Sequence, residues 1–297
     1  MILNSTDIQK YVPMQTSSFD FAKYAGFENR ALHKHFPRLL GDTLTDALEL
    51  YGSVDSPDAS GSGMAAEDMD SLVVKVVPLL ANLAVLETIS FFDVVLTSSG
   101  FGVVRNNNIA PASKERVQAF AEGCLAAAND FADILLYFME KNQESFTAWN
   151  KSSLLDGSLV ASTAQFNSLT RLYLKRHQFI DVKTHIAALE NTDLAALISP
   201  QFLAELQTGS DNTVKPLFQT SLAFLAFAKY TEITAPDDNP GVAAAWKYKG
   251  KAYLNKAMAI INASPATYPT YQTYGYTAPY DNDSEDNQVS GFFVAGA

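Results

Sequence analysis

The clearest structural signal in the chain is the stretch at residues 113–138, SKERVQAFAEGCLAAANDFADILLYF. Pro111 and Ser113 supply a helix start, with Ser113 in the N-cap position. Apolar residues then recur every three or four positions, at Val117, Phe120, Cys124, Ala127, Ala128, Phe131, Leu135 and Phe138. This spacing is typical of an amphipathic α-helix. It predicts a long helix with Cys124 buried on its apolar face, in a mainly α-helical protein.

The composition narrows the class of protein. At 297 residues with 47% hydrophobic content, the chain can bury a substantial core. It has 21 Lys and Arg against 32 Asp and Glu, a net charge of -11, and the basic residues are dispersed. We therefore expect no specific nucleic-acid binding. A single cysteine, Cys124, allows neither an intrachain disulfide nor a cysteine-based metal site.

Other apolar segments predict further helices. The most apolar window, at residues 71–92, contains polar residues and a proline at Lys75, Pro78, Asn82 and Glu87. Such residues are costly at the centre of a bilayer, so we expect a buried core helix and no membrane partner. The first residues lack a basic start and a sustained apolar run, which predicts no signal peptide. Within residues 19–50, the breakers Gly26, Pro37 and Gly41 predict short helices joined by tight turns.

These signals divide the chain into three parts. Residues 1–160 are expected to form a first helical unit, with an acidic Gly/Ser loop at 52–70 and a β-hairpin at 93–105. Residues 161–262 form a second helical unit that begins with a capping box at Ser162 and Gln165. Residues 263–297, rich in Tyr and Pro, are expected to form an extended C-terminal arm.

The two helical units show weak internal similarity, which predicts a tandem duplication. Glu28 aligns with Glu190 at an offset of 162, and Pro78 aligns with Pro216 at 138. Further on, Phe146 aligns with Tyr268 at an offset of 122. The offset shrinks across the Gly/Ser loop and across the hairpin, where deletions are tolerated best.

No motif in the chain points to catalysis, a cofactor or a metal. A phosphate-binding glycine loop, a nucleophile elbow and a zinc-protease helix are absent from the sequence. His33 and His35 lie beside Lys34 and Arg38, which disfavour a bound cation, so we expect a solvated pair. The acidic run at 281–286 lacks the glycine and glutamate of a calcium loop.

Two segments carry more apolar side chains than free loops need, and both are candidate interfaces. In the hairpin these residues are Val94, Leu96, Phe101 and Val103. In the arm they are Tyr268, Tyr271, Tyr274, Tyr276, Phe292 and Phe293. We expect the hairpin to project as a contact element. We expect the arm to pack on an adjacent subunit or a partner and to contribute little to its own unit's core.

Two stretches resemble phage proteins. VKPLFQTSLAFLAFAKY, at residues 214–230, resembles a segment of the small helical head-tail connector proteins of tailed bacteriophages, and residues 76–89 resemble it more loosely. GFGVVRNNNIAPASKER, at residues 100–116, is similar to an uncharacterised family from phages and prophages of gut bacteria.

The resemblance implies a non-enzymatic virion structural protein. It implies a homo-oligomeric ring subunit between the portal and the tail, assembled in the host cytoplasm, with DNA passing through the lumen and no cofactor. The chain is about twice as long as a single connector unit. Two alternatives stay open at this point: a helical protein-binding module, and an enzyme whose site is built from dispersed Asp and Glu residues.

Overall fold

The computed structural model describes residues 2–12, 25–53, 65–89, 94–97, 100–103, 113–209, 211, 213–234 and 240–273. Over these residues the protein is mainly α-helical, as predicted. The chain divides into two compact units, Met1–Ser152 and Ser153–Ala297. The division therefore falls at Ser152 rather than at residue 160.

Unit 1 contains five helices among its described residues. These are α1 (Ser5–Tyr11), α2 (Ala25–Leu40), α3 (Asp42–Ser53), α4 (Ala66–Thr88) and α5 (Lys114–Lys141). Two four-residue strands lie between α4 and α5, β1 (Val94–Thr97) and β2 (Gly100–Val103). They pair antiparallel, with Val94 opposite Val103 and Leu96 opposite Phe101.

The long helices of unit 1 bury their apolar faces against α4. Helix α4 packs along α5 and α2, and also contacts α1. Ile8, Phe36, Leu80 and Leu135, one from each of these helices, are fully buried. Helix α4 has the length and hydropathy of a membrane span, but 67% of its apolar window is buried inside the protein. It is the core helix that the sequence predicted.

Helix α5 confirms the prediction made from residues 113–138. The Ser113 side chain accepts a hydrogen bond from the backbone N–H of Arg116, as an N-cap residue does. Cys124 is fully buried.

The break expected at Pro37 is absent, because α2 runs without interruption through this residue. Gly26 lies at the start of α2, and residues 13–24 before the helix lie outside the described part of the chain. Proline inside a helix removes one hydrogen bond, a cost that the buried face of α2 offsets through Leu32 and Phe36. Gly41 does end the helix, and its φ of +88° is a conformation that favours glycine.

The Gly/Ser loop predicted at residues 52–70 is also shorter than expected. Helix α3 extends to Ser53 and α4 already begins at Ala66. The acidic residues Glu67 and Asp68 occupy the first turn of α4, where negative charge is favourable to the helix dipole. Residues 54–64 lie outside the described part of the chain.

Unit 2 is mainly helical over its described residues, with an isolated antiparallel bridge between Leu154 and Ser162 before its first helix. Its helices are α6 (Thr163–Thr170), α7 (Arg176–Leu189), α8 (Ala195–Ile198), α9 (Pro200–Thr208), α10 (Lys215–Thr234), α11 (Pro240–Ala263) and α12 (Pro269–Thr273). A π-helical turn, Glu190–Leu194, joins α7 to α8, and a 3-10 turn, Pro265–Thr267, precedes α12.

The core of unit 2 is centred on α10, which packs along α11 and also contacts α6 and α7. Phe166, Phe179, Phe202 and Phe218 are buried together in it. Gly250 on α11 allows the close approach of α10, because a Cβ there would lie 2.5 Å from Leu225 Cγ.

The start of the C-terminal arm belongs to this core, and the expectation that the arm contributes little to its own unit is wrong for Tyr268 and Tyr271. Tyr268 is only 5% exposed. Its ring centroid lies 6.0 Å from that of Phe202, and the Tyr271 ring lies 5.7 Å from Phe202. The short turns after α11 fold back over α9, which the irregular spacing of the tyrosines did not predict. Residues 274–297, the C-terminal tail, lie outside the described part of the chain.

Candidate functional site

A groove of about 430 Å³ opens on unit 1 between α2, α4 and α5. Its lining combines charged and apolar side chains, namely Arg30, Lys34, His35, Leu83, Leu86, Glu87 and Leu125. We call it the Glu87 groove.

Helical spacing brings these residues to one place. Arg30 and Lys34 are four residues apart on α2, so their side chains lie on the same face. Leu83 and Glu87 have the same spacing on α4, against which α2 packs. Leu125 comes from α5 and is 50% exposed, which leaves apolar surface open at the groove.

Glu87 is the electrostatic centre of the groove. Its Oε2 lies 2.9 Å from Arg30 Nε, and its Oε1 accepts a hydrogen bond from Lys34 Nζ at 2.5 Å. His35 Nε2 lies 3.4 Å from the same Oε1. The Glu87 side chain is 8% exposed, whereas those of Arg30 and Lys34 are 54% and 55% exposed.

The position of Glu87 in its helix explains why it needs cations. It occupies the last turn of α4, where the helix dipole disfavours negative charge. The hydrogen bond from Lys34, aided by His35 and Arg30, holds the pKa of Glu87 below its usual value against the opposing effect of burial. Glu87 is therefore ionised at neutral pH.

His35 contributes differently from the two permanent cations. Burial lowers the pKa of His35, although the hydrogen bond with Glu87 opposes that shift. The imidazole is therefore mainly neutral at neutral pH. Arg30 and Lys34 are therefore the permanently charged cations of the groove, and more than half of each side chain is exposed.

This arrangement suits binding. A carboxylate held ionised by cations is a poor proton donor, so Glu87 does not fit the role of a general acid. Half-exposed cations beside exposed leucine surface fit a ligand that has both negative charge and apolar groups.

The two histidines expected to form a solvated pair lie in different surroundings. His33 Nε2 is 3.1 Å from Glu49 Oε2, and both side chains are nearly half exposed. His35 points instead into the Glu87 groove. Within the described ranges, no group of three His, Cys, Asp or Glu residues is arranged to hold a metal ion.

The predicted interface residues do not form one site in the described structure. Val94, Leu96, Phe101 and Val103 lie on β1 and β2, whose backbone register is described but whose side chains are not. Tyr268 and Tyr271 pack in unit 2. Tyr274, Tyr276, Phe292 and Phe293 lie outside the described residues.

Sequence reasoning missed the residues of the Glu87 groove. Lys34 and Glu87 are 53 residues apart, and no local spacing connects them. The available signal was the polar residue Glu87 near the end of an apolar helix, which we interpreted only as an argument against a membrane span.

Comparison with known families gives a partial match. Residues 36–157 match a family described as a family of unknown function (DUF6712), which is less than half of the chain. The match includes Glu87 and Leu125 but begins after Arg30, Lys34 and His35. No curated protein and no solved structure matches the chain.

Proposed function

We propose that this chain is a non-enzymatic structural subunit of a tailed-phage particle, a head-tail connector that forms a homo-oligomeric ring between portal and tail. The sequence resemblance at residues 214–230 suggests this identity. The structural observation that supports it is that the two units follow one helical plan, as expected of a duplicated connector unit.

Four helices of each unit contact one another in the same order along the chain. Among the described residues, unit 1 has one further helix, α3, and unit 2 has three, α8, α9 and α12. Each unit begins with a short helix, α1 or α6, that contacts the central helix, α4 or α10. A second helix, α2 or α7, packs on the same central helix, and the closing helix, α5 or α11, packs along it.

Each unit has a buried glutamate that binds the segment before its first helix. Glu28 is 5% exposed, and its Oε1 accepts the backbone N–H of Ile2 at 2.6 Å, just before α1. Glu190 is 2% exposed, and its Oε1 accepts the backbone N–H of Leu159 at 2.8 Å, shortly before α6. The offset of 162 relates the two glutamates but not their helices, because Glu28 lies in the first turn of α2 and Glu190 follows the end of α7.

The closing helices agree in their buried positions and in the places where they end. At an offset of 122, Ala128, Ala132, Leu135 and Met139 of α5 correspond to Gly250, Leu254, Ala257 and Ile261 of α11, and all eight residues are buried. The ends of the two helices, Lys141 and Ala263, correspond at the same offset. A chance similarity of leucine patterns would not be expected to match both the buried positions and the C-terminal ends of two helices.

The central helices share a polar detail beside their aligned prolines. Asn82 Nδ2 donates to the carbonyl oxygen of Pro78 at 2.8 Å. Thr220 Oγ1 donates to the carbonyl oxygen of Pro216 at 2.7 Å. The offset of 138 therefore relates two buried polar side chains as well as two prolines.

A ring forms when one surface of each subunit binds a different surface of the next and the rotation between subunits closes. The hairpin region has no counterpart at the same place in the sequence of the second unit. We assign contacts with the portal and with the phage tail to this region. The net charge of -11 would repel DNA from the lumen and so let it slide.

The test is the assembly state of the full-length protein and its presence in particles. Native mass spectrometry and negative-stain electron microscopy of the purified chain should show a closed ring. Mass spectrometry of purified particles should detect the chain. A monomer at all concentrations, together with particles that lack the chain, would refute the proposal.

A helical protein-binding module is the second candidate, and the Glu87 groove favours it. If the groove served a foreign partner, charge reversal at Lys34 would abolish capture of that partner and leave the ring intact. If the chain is a connector subunit, changes to its contact surfaces should instead disrupt the ring.

A further inference from the structure

We infer that the Glu87 groove binds the C-terminal tail, residues 274–297, of a second copy of this chain. The inference rests on the proposed ring assembly and names the contact that would link one subunit to the next. Three features favour this occupant: the exposed cations of the groove, its exposed leucine surface, and the acidic and aromatic residues of the tail.

The groove offers positive charge at its rim. Arg30 and Lys34 are each more than half exposed although both contact Glu87. A lysine ammonium has three N–H donors, so Lys34 can hold Glu87 and a second carboxylate together. The floor adds apolar surface, chiefly the half-exposed Leu125.

The tail carries the complementary groups in a short span. Four carboxylates, Asp281, Asp283, Glu285 and Asp286, come first, and Phe292 and Phe293 follow. The chain contains no Lys or Arg after Lys256, so no basic residue of the tail competes with the groove. We propose that the carboxylates contact Arg30 and Lys34 while a phenylalanine covers Leu125.

Reach and symmetry favour a second copy. The chain continues for 24 residues after Thr273, the end of α12. Extended chain spans roughly 3.3–3.6 Å per residue, so the tail can extend to about 80 Å, enough to reach a neighbouring subunit. A tail that binds the next copy makes a heterologous contact, which closes into a ring when every copy donates and receives once.

Charge reversal in the full-length protein tests the contact. Lys34→Glu should raise the protein concentration needed for assembly at least tenfold. Replacing Asp281, Asp283, Glu285 and Asp286 together by Lys should have the same effect. Combining the two changes should restore assembly, because the charges then pair in the opposite sense. Lys114→Glu, at the exposed start of α5, is the matched control and should assemble as the unmodified chain does.

Disulfide cross-linking distinguishes the tail of a second copy from the tail of the same chain. In the double variant Leu125→Cys and Phe292→Cys, mild oxidation should produce a ladder of disulfide-linked oligomers on non-reducing gels. A cross-link within one chain, or no cross-link, would overturn the inference.

The two proposals fail in different ways. If the unmodified chain forms a ring that Lys34→Glu leaves unchanged, the groove contact is wrong and the connector proposal stands. If the unmodified chain forms no ring, the connector proposal fails as well. Far-ultraviolet circular dichroism should show unchanged helix content in every variant. Should Lys34→Glu lose helix, Leu125→Asp replaces it, because that side chain is half exposed and makes none of the Glu87 ion pairs.

Discussion

Glu28 Oε1 lies 2.6 Å from the backbone nitrogen of Ile2, across 26 residues of sequence. The same oxygen is 3.4 Å from the nitrogen of Leu3, so one buried carboxylate holds the N-terminal segment against α2. Burial raises the pKa of Glu28, although the two backbone N–H groups oppose the shift. The site is therefore a structural clamp whose strength depends on pH.

We predict that Glu28→Ala lowers the free energy of unfolding by about 1–3 kcal/mol, since it leaves buried N–H donors without their acceptor. Because the folded pKa is raised, the stability that Glu28 contributes is present below its unfolded pKa and is lost as pH rises through the folded pKa. Glu28→Gln keeps an acceptor and does not ionise, so its stability relative to the unmodified protein should increase with pH. Urea denaturation across a pH series measures this. Glu122→Gln on the exposed side of α5 is the control, and an equal pH trend in both variants would contradict the assignment.

Glu190 should matter more to its own unit than Glu28 does. It accepts hydrogen bonds from the Leu159 N–H at 2.8 Å and from Gln207 Nε2 at 3.0 Å, and also from the Ser158 hydroxyl. We expect Glu190→Ala to cost about 3 kcal/mol, because one buried and two partly buried donors lose their acceptor. Hydrogen exchange should rise around residues 158–160 and across unit 2 while unit 1 keeps its protection. Equal loss of protection in both units would show that the effect is not local.

Gly250 should tolerate no side chain. An added Cβ would lie 2.5 Å from Leu225 Cγ and 3.1 Å from the carbonyl oxygen of Ser221. Gly250→Ala should therefore destabilise the protein by about 1–3 kcal/mol through overpacking. Gly123→Ala on α5 is the matched control, because nothing lies within 4 Å of its added Cβ. That control should be neutral or stabilising by about 0.5–1 kcal/mol, the usual gain of alanine over glycine in a helix. Thermal unfolding of the two variants measures the difference. Similar shifts in melting temperature would mean that α10 and α11 do not approach closely at Gly250.

Cys124 should resist thiol reagents in the native protein. It is fully buried, and burial raises the pKa of its thiol, so both access and the thiolate fraction are reduced. A chromogenic disulfide reagent should label it only after denaturation. Leu125→Cys provides the control, since the adjacent side chain is half exposed and a cysteine there should react rapidly. Fast labelling of the native, unmodified protein would show that Cys124 lies on an exposed face of α5.

Two truncations should separate the ordered start of the arm from the tail. Ending the chain after Asn262 removes Tyr268 and Tyr271 from Phe202 and should destabilise unit 2 by about 3–5 kcal/mol, as large aromatic deletions from a core do. Ending it after Thr273 should leave both units as stable as in the full chain while abolishing ring assembly. Thermal unfolding and native mass spectrometry measure the two properties. If removal of residues 274–297 alone unfolds unit 2, the tail belongs to its core.

The helices were predictable to different degrees. The period of residues 113–138 and the cap at Ser113 are local properties, and α5 follows them. The break expected at Pro37 is also a local signal, but packing of α2 on α4 outweighs it. Tyr268 shows the opposite limit, because its irregular surroundings carry no period, yet it packs in the core.

The sequence by itself determined that this is a mainly α-helical protein, that α4 and α5 each bury an apolar face, and that Cys124 lies on one of those faces. Periodicity and capping act over three or four residues, so one chain is sufficient to recognise them. Only the tertiary structure decided which acidic residues hold the fold and which line a groove. Glu28, Glu87 and Glu190 find their partners 17 to 57 residues away along the chain. Burial and long-range ion pairing depend on how helices pack against one another, and that arrangement has no local signature.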